Sequence, residues 1–209
     1  MKKIIIFWLF FAFIFSCKKD VKNIPNNSTN SGIDDNNMYD EANSLDKTKT
    51  FYIGKDEYYS KKITQRIGDI YYTATIMPID YYIKKNLKIF DKDSLKYYRI
   101  KLKGEKIVQF EFQQKEKKDL LQSSFTNTDY ESAVKYMSFS IKNDFYGINS
   151  KGDTIYCRGI LFERNFKLAP FKRILIYFKD QENINSLKLV YNDNLFQNGL
   201  IKFNLWSKP

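Results

Sequence analysis

The chain contains no histidine, and that absence removes several chemistries at once. Ser-His-Asp and Cys-His catalysis, histidine-ligated zinc and the usual general base near neutral pH all need an imidazole. Cysteine is nearly as scarce, with only Cys17 and Cys157 in 209 residues. A thiol without an imidazole beside it is a poor nucleophile, and so few cysteines cannot hold an iron–sulfur cluster. The eight glycines are scattered, so neither a phosphate-cradling loop nor a dinucleotide fingerprint can be built. Asp91-Lys-Asp93-Ser94 has two acids at loop spacing, but it lacks the glycine and distal glutamate of a calcium loop and reads as a turn. No metal site and no catalytic residue is expected from these patterns. Carboxylates are the remaining chemistry. Glu105, Glu111, Glu131 and Glu163 lie in or beside expected strands, and nothing in their spacing singles out a pair that would hydrolyse a glycosidic bond.

The N-terminus is the most informative segment present. A cationic Met1-Lys2-Lys3 head precedes twelve uninterrupted apolar residues, 4–15, and the run ends in Ser16 and Cys17. A membrane span needs about 20 apolar residues, so this one is too short. A charged head, a short apolar core and a small residue describe a secretory signal peptide. Ile14-Phe15-Ser16-Cys17 resembles the lipobox of bacterial lipoproteins: an aliphatic residue, a variable one, a small one, then cysteine. The resemblance covers residues 1–17. It implies cleavage between Ser16 and Cys17, a diacylglycerol on the Cys17 sulfur, and an N-acyl chain on the new amine. No other cofactor is expected. Each buried methylene contributes about 0.8 kcal/mol, so two or more chains hold firmly. Lys18, in place of the aspartate that retains such proteins at the inner membrane, implies the outer membrane. Lys18-Lys19-Asp20 partly matches a surface-export signal and leaves the periplasmic face and the cell surface both open.

The chain divides into a signal (1–16), a lipidated tether (17–50) and a β-rich domain (51–209). Residues 18–50 carry seven Asn and almost no large apolar side chains, too little apolar area to offset the entropy of ordering. Such a tether would hold the domain roughly 30 Å from its anchor. The formal charge of +11 falls to +9 once Lys2 and Lys3 are removed. The lysines sit singly rather than in blocks, so a solvated surface is expected and a nucleic-acid partner is not.

From Phe51 onward the apolar period is two. Tyr98, Ile100 and Leu102, then Val108, Phe110 and Phe112, predict a hairpin turning near Lys103–Lys106. Met137, Phe139 and Ile141 predict another strand. Further strands are expected near 69–77, 153–163, 172–179, 186–191 and 200–206, the last three as a meander. Ile79 to Phe90 predicts a short helix, and Thr128-Asp-Tyr-Glu131 a capping box for another. The expected fold is mostly β: a single antiparallel β-sandwich, immunoglobulin-like or related, with one or two short helices. A β-barrel or an α+β fold is the alternative. Cys157 is expected buried in a strand, with Ile155 and Gly159 on its face.

Sixteen tyrosines include the doublets Tyr71-Tyr72 and Tyr97-Tyr98. Neighbouring strand residues point oppositely, so one ring of each doublet faces outward. Tyr offers a large rigid contact with a polar tip, which makes Tyr71, Tyr72 and Tyr97 the candidate binding residues. Together these features predict a lipid-anchored, noncatalytic envelope module that binds a protein or glycan partner. A carboxylate-dependent glycan hydrolase and a structural subunit of an envelope assembly are the alternatives.

Overall fold

The computed structural model describes residues 44–165, 168–179 and 187–205. They belong to one of two compact units, Asn36–Pro209. Ser16, Cys17 and most of the expected tether lie outside the described residues.

The fold is mostly β, with two antiparallel sheets stacked as a sandwich. Strands β1 (Ser44–Ile53), β2 (Asp56–Ile67), β3 (Ile70–Met77) and β4 (Glu105–Gln114) run as consecutive neighbours. The larger, six-stranded sheet is completed by β8 (Phe171–Lys179) and β7 (Gly159–Glu163), in the order β1-β2-β3-β4-β8-β7. The smaller sheet has the order β10-β9-β5-β6, from β5 (Phe145–Ile148), β6 (Thr154–Tyr156), β9 (Lys188–Asp193) and β10 (Gly199–Asn204). Gly54 and Gly68, at φ 58° and 56°, open the two-residue loops of the first two hairpins. Those tight turns need a positive φ that glycine adopts at little cost.

The core lies between the sheets and is built largely of rings. Phe110 meets Phe112, Phe145 and Phe203 edge-on, with centroids 4.9, 5.0 and 5.3 Å away. Phe145 and Tyr191 stack at 4.3 Å. Burying a side chain of this size contributes roughly 1.5–3 kcal/mol, so these rings dominate the sandwich. A smaller cluster of Met77, Ile107 and Leu175, with Tyr81, Tyr82 and Tyr177 against it, covers part of the opposite face of the larger sheet. Tyr81 and Tyr82 reach it from helix α1 (Ile79–Asn86).

Several sequence expectations change. Helix α2 (Lys92–Lys101) replaces the expected strand at Tyr98–Leu102. Asp91 caps it, its carboxylate accepting the Ser94 N–H at 2.8 Å, and Arg99 grips Asp80 of α1 through two hydrogen bonds of 2.7 Å. The expected strand at Met137–Ile141 is a π-helical turn, Tyr136–Ser140, running into a 3₁₀ turn, Ile141–Asp144. Ala133, Met137 and Ile141 recur every four residues and are buried, whereas Phe139 is exposed, which is helical periodicity. Short helix α3 (Ser123–Thr126) precedes α4 (Tyr130–Lys135), which is capped by Asp129 rather than Thr128 through Ser132 N at 2.9 Å. The four α-helices among the described residues exceed the one or two expected. The last three strands are no meander: β8 lies in the larger sheet, and β9 and β10 form a hairpin in the smaller.

The β domain also begins earlier than Phe51. All ten residues of β1, from Ser44, pair with β2. Backbone pairing orders this polar strand even though Phe51 is its one buried apolar side chain.

Candidate functional site

The antiparallel register lines up side chains from five strands on the outer face of the larger sheet. One row reads Thr64, Thr73, Glu111, Arg173, Glu163 across β2, β3, β4, β8 and β7. Its members bond in two groups, Thr64 with Thr73 and Glu111 with Arg173 and Glu163. The Thr64 and Thr73 hydroxyls meet at 2.9 Å. Arg173 donates to Glu111 Oε1 from Nε at 2.8 Å and reaches Glu163 Oε2 from Nη1 at 3.1 Å. Gln109, on the same face of β4, donates to Glu111 at 3.0 Å. The next row is aromatic at two positions: Arg66, Tyr71, Gln113, Phe171. Arg66 lies 5.7 Å from the Tyr71 ring centre and Arg173 lies 4.6 Å from that of Phe171. Each cation over a ring contributes about 0.5–1 kcal/mol at an exposed site and fixes the ring's orientation.

Electrostatics lock this face. Burial works against the Arg173 guanidinium, yet Glu111 and Glu163 outweigh it and raise its pKa. On β1, burial lowers the Lys49 ammonium, while Glu111 raises it and Arg173 lowers it further. Lys49 also sits 4.7 Å above the Phe51 ring. Thr75, on the same outer face, is fully buried and its hydroxyl has no hydrogen-bond partner among the described residues.

The tyrosine doublets resolve differently. Tyr71 is half-buried and outward, in the row just described. Tyr72 is fully buried between the sheets, which corrects its candidacy as a binding residue. Alternation leaves no choice once β3 turns Ile70, Tyr72 and Ala74 to the core. Tyr97 is exposed, but on α2 and not on a strand, edge-on to Tyr98 at 5.1 Å. Tyr71 is the second residue of β3, whereas the helices follow the end of β3, so the two rings do not form one patch.

Of the four carboxylates considered, register brings Glu111 and Glu163 together. Glu105 takes Arg158 and Lys179 at 3.6 and 3.5 Å, and Glu131 stands apart on α4. Arg173 and Phe171 carried no sequence signal, because their role depends on which strand lies beside β4. Cys157 is half-buried in the link between β6 and β7 rather than within a strand, and its thiol donates to Gly159 O at 3.3 Å. Burial pushes the Cys157 thiol pKa up. No helix among the described residues is long and apolar enough to cross a membrane. No protein family matches the chain, and no curated protein or solved structure matches it either.

Proposed function

We propose that the chain is a lipid-anchored, noncatalytic binding module of the bacterial envelope. In this reading Cys17 carries the acyl chains at the outer membrane. The outer face of the larger sheet engages a protein or glycan partner. The observation that carries the binding reading is the pair of adjacent rows around Tyr71, Phe171 and Arg173. Rings held by cations stand beside polar groups already fixed by mutual hydrogen bonds. A partner docking there meets rigid contact area and prearranged donors and acceptors, which lowers the entropy lost on association.

The hydrolase reading is weaker on the same geometry. Two acids that cleave a glycosidic bond need the sugar between them. Here a guanidinium fills that place and spends its donors on both. Assembly by strand addition draws support from β1, a ten-residue edge that pairs only with β2 among the described residues. Lys47 and Lys49 on that edge are the kind of charge that discourages pairing.

Intact-mass analysis of protein from washed envelopes tests the anchor. A mature chain beginning at acylated Cys17 is expected, and Cys17→Ser should leave an unprocessed precursor. Cleavage elsewhere with an unmodified Cys17 contradicts the anchor. Binding is tested by titrating the mature chain with envelope glycans and proteins. Saturable binding that survives Glu163→Gln is expected. Glycan turnover abolished by one Glu→Gln change would make the protein an enzyme.

A further inference from the structure

A second site lies behind this sheet face. Lys172 precedes Arg173 on β8 and therefore points the opposite way, toward the space beneath α4. It is 6% exposed. Its ammonium meets Asp119 Oδ1 at 2.9 Å, the one acceptor recorded for it among the described residues. That oxygen also accepts the Leu121 N–H at 3.2 Å. An ammonium has three donors and no acceptor, so Asp119 neutralises Lys172 without using all of its hydrogens. The pair is incompletely bonded on both sides, since Lys172 keeps donors to spare and Asp119 Oδ2 is buried with no hydrogen-bond partner among the described residues.

Lys172 forms part of the wall of a cavity of about 130 Å³. Leu121, Val134 and Phe162 give this cavity an apolar lining, and Arg164 adds a second cation. Tyr130 and Asn165 complete the wall, the Asn165 amide already committed to the carbonyls of Ala169 and Phe171. A water molecule takes up about 30 Å³ of liquid, and an apolar cavity of about 150 Å³ accommodates benzene. The space therefore suits a group the size of one small ring or a short branched chain. The wider groove beside it shares Tyr130, Val134 and Arg164 and supplies an entrance, flanked by Phe139 at 67% exposure. The π-helical turn presents Phe139 there, and such turns commonly mark functional positions.

We propose that this cavity binds a small organic carboxylate, with its apolar body against Leu121, Val134 and Phe162 and its carboxylate on Lys172 and Arg164. Charge selects the ligand class. Among the described residues the cavity wall holds Lys172 and Arg164 and no acid. Asp119 pairs with Lys172 alone and Glu131 lines the groove outside, so Arg164 leaves the inner wall with positive charge for one carboxylate. A guanidinium and a carboxylate can pair through two parallel hydrogen bonds. Arg164 is free to turn inward, since its bond to Ser138 Oγ is long at 3.4 Å. The site is separate from the Tyr71 face, because Phe162 and Lys172 point inward where Glu163 and Arg173 point out.

The test is a titration of the mature chain with benzoate and with its neutral isostere benzyl alcohol, followed by methyl NMR. Saturable shifts at Leu121 and Val134 are expected, with benzoate at least about tenfold tighter, a difference of about 1.4 kcal/mol. Arg164→Gln should weaken benzoate about tenfold and leave benzyl alcohol unchanged. Lys172→Met strands Asp119, so Lys172→Met combined with Asp119→Asn keeps the fold testable and should abolish the preference for benzoate. Equal affinity for the two probes would overturn the proposal. So would the absence of shifts at Leu121 and Val134 with benzoate at about 10 mM.

Discussion

Tyr72 and Asp193 tie the two sheets together: the Tyr72 hydroxyl of the larger sheet donates to Asp193 Oδ2 of the smaller over 2.5 Å. Asp193 is 2% exposed. Its other oxygen accepts Tyr191 Oη at 2.9 Å and Phe196 N at 3.0 Å. Asn198 closes the network on the Tyr72 hydroxyl at 2.6 Å. A buried carboxylate with three donors is satisfied, so removing it leaves those donors stranded at about 1–3 kcal/mol each. Asp193→Ala should therefore lower stability by roughly 3 kcal/mol or more, read as a fall in the urea midpoint with m unchanged. A loss below about 1 kcal/mol would show that the network is not a main tie between the sheets.

The same network predicts instability in alkali. Burial first, then Asp193, raises the pKa of Tyr72 and that of Tyr191 far above the ordinary 10.0. Burial and Asp144 do the same for Tyr136. Above pH 10 the unfolded chain loses these protons while the folded chain keeps them, so stability falls as pH rises. The contribution of these phenols is fully present below pH 10. Phenolate absorbance from the buried tyrosines should appear together with loss of the β circular dichroism signal, and Tyr136→Phe should move the transition to higher pH. Titration of all the tyrosines near pH 10 with the fold intact would contradict this.

The larger sheet was partly legible in the sequence because one of its faces is buried. Val108, Phe110 and Phe112 alternate with Gln109, Glu111 and Gln113, and the structure keeps that alternation in β4. β1 was not legible, since its Lys-Thr repeat is ordered by backbone pairing that leaves little apolar trace. Tyr98, Ile100 and Leu102 mimic a strand only because a helix edge can also alternate over five residues. The Asp91 cap and the buried Leu95 favour the helix. The outer-face rows were hidden for a different reason. Glu111 and Glu163 meet only through β8, and no local pattern states which strand inserts between β4 and β7.

Arg173 should behave as the keystone of the polar row. Arg173→Met leaves Glu111 and Glu163 near each other without a cation and should cost about 1–3 kcal/mol. Glu163→Gln keeps the stronger Arg173–Glu111 contact, 2.6 Å from Nη2, and should cost below about 1 kcal/mol. Thermal melts of the two variants check the order. Equal losses would mean that the row is not organised around Arg173.

Cys157 should be slow to react. Its thiol is half-buried and burial raises its pKa, so little thiolate is present at neutral pH. Labelling by a thiol reagent should lag a free-cysteine standard at least tenfold, and Cys157→Ala should cost about 1 kcal/mol. Labelling as fast as the standard would reopen a redox role.

The central claim is that the Tyr71 face meets the partner. Its most direct test is site-specific photo-crosslinking in intact envelopes, with a photoreactive phenylalanine at position 71 or at position 156. Tyr156 is 77% exposed on β6 of the smaller sheet and serves as the matched control. The expected result is a discrete adduct from position 71, reduced at least about tenfold by Phe171→Ala and absent from position 156. An adduct from position 156 with none from position 71, or none from either, would contradict the claim.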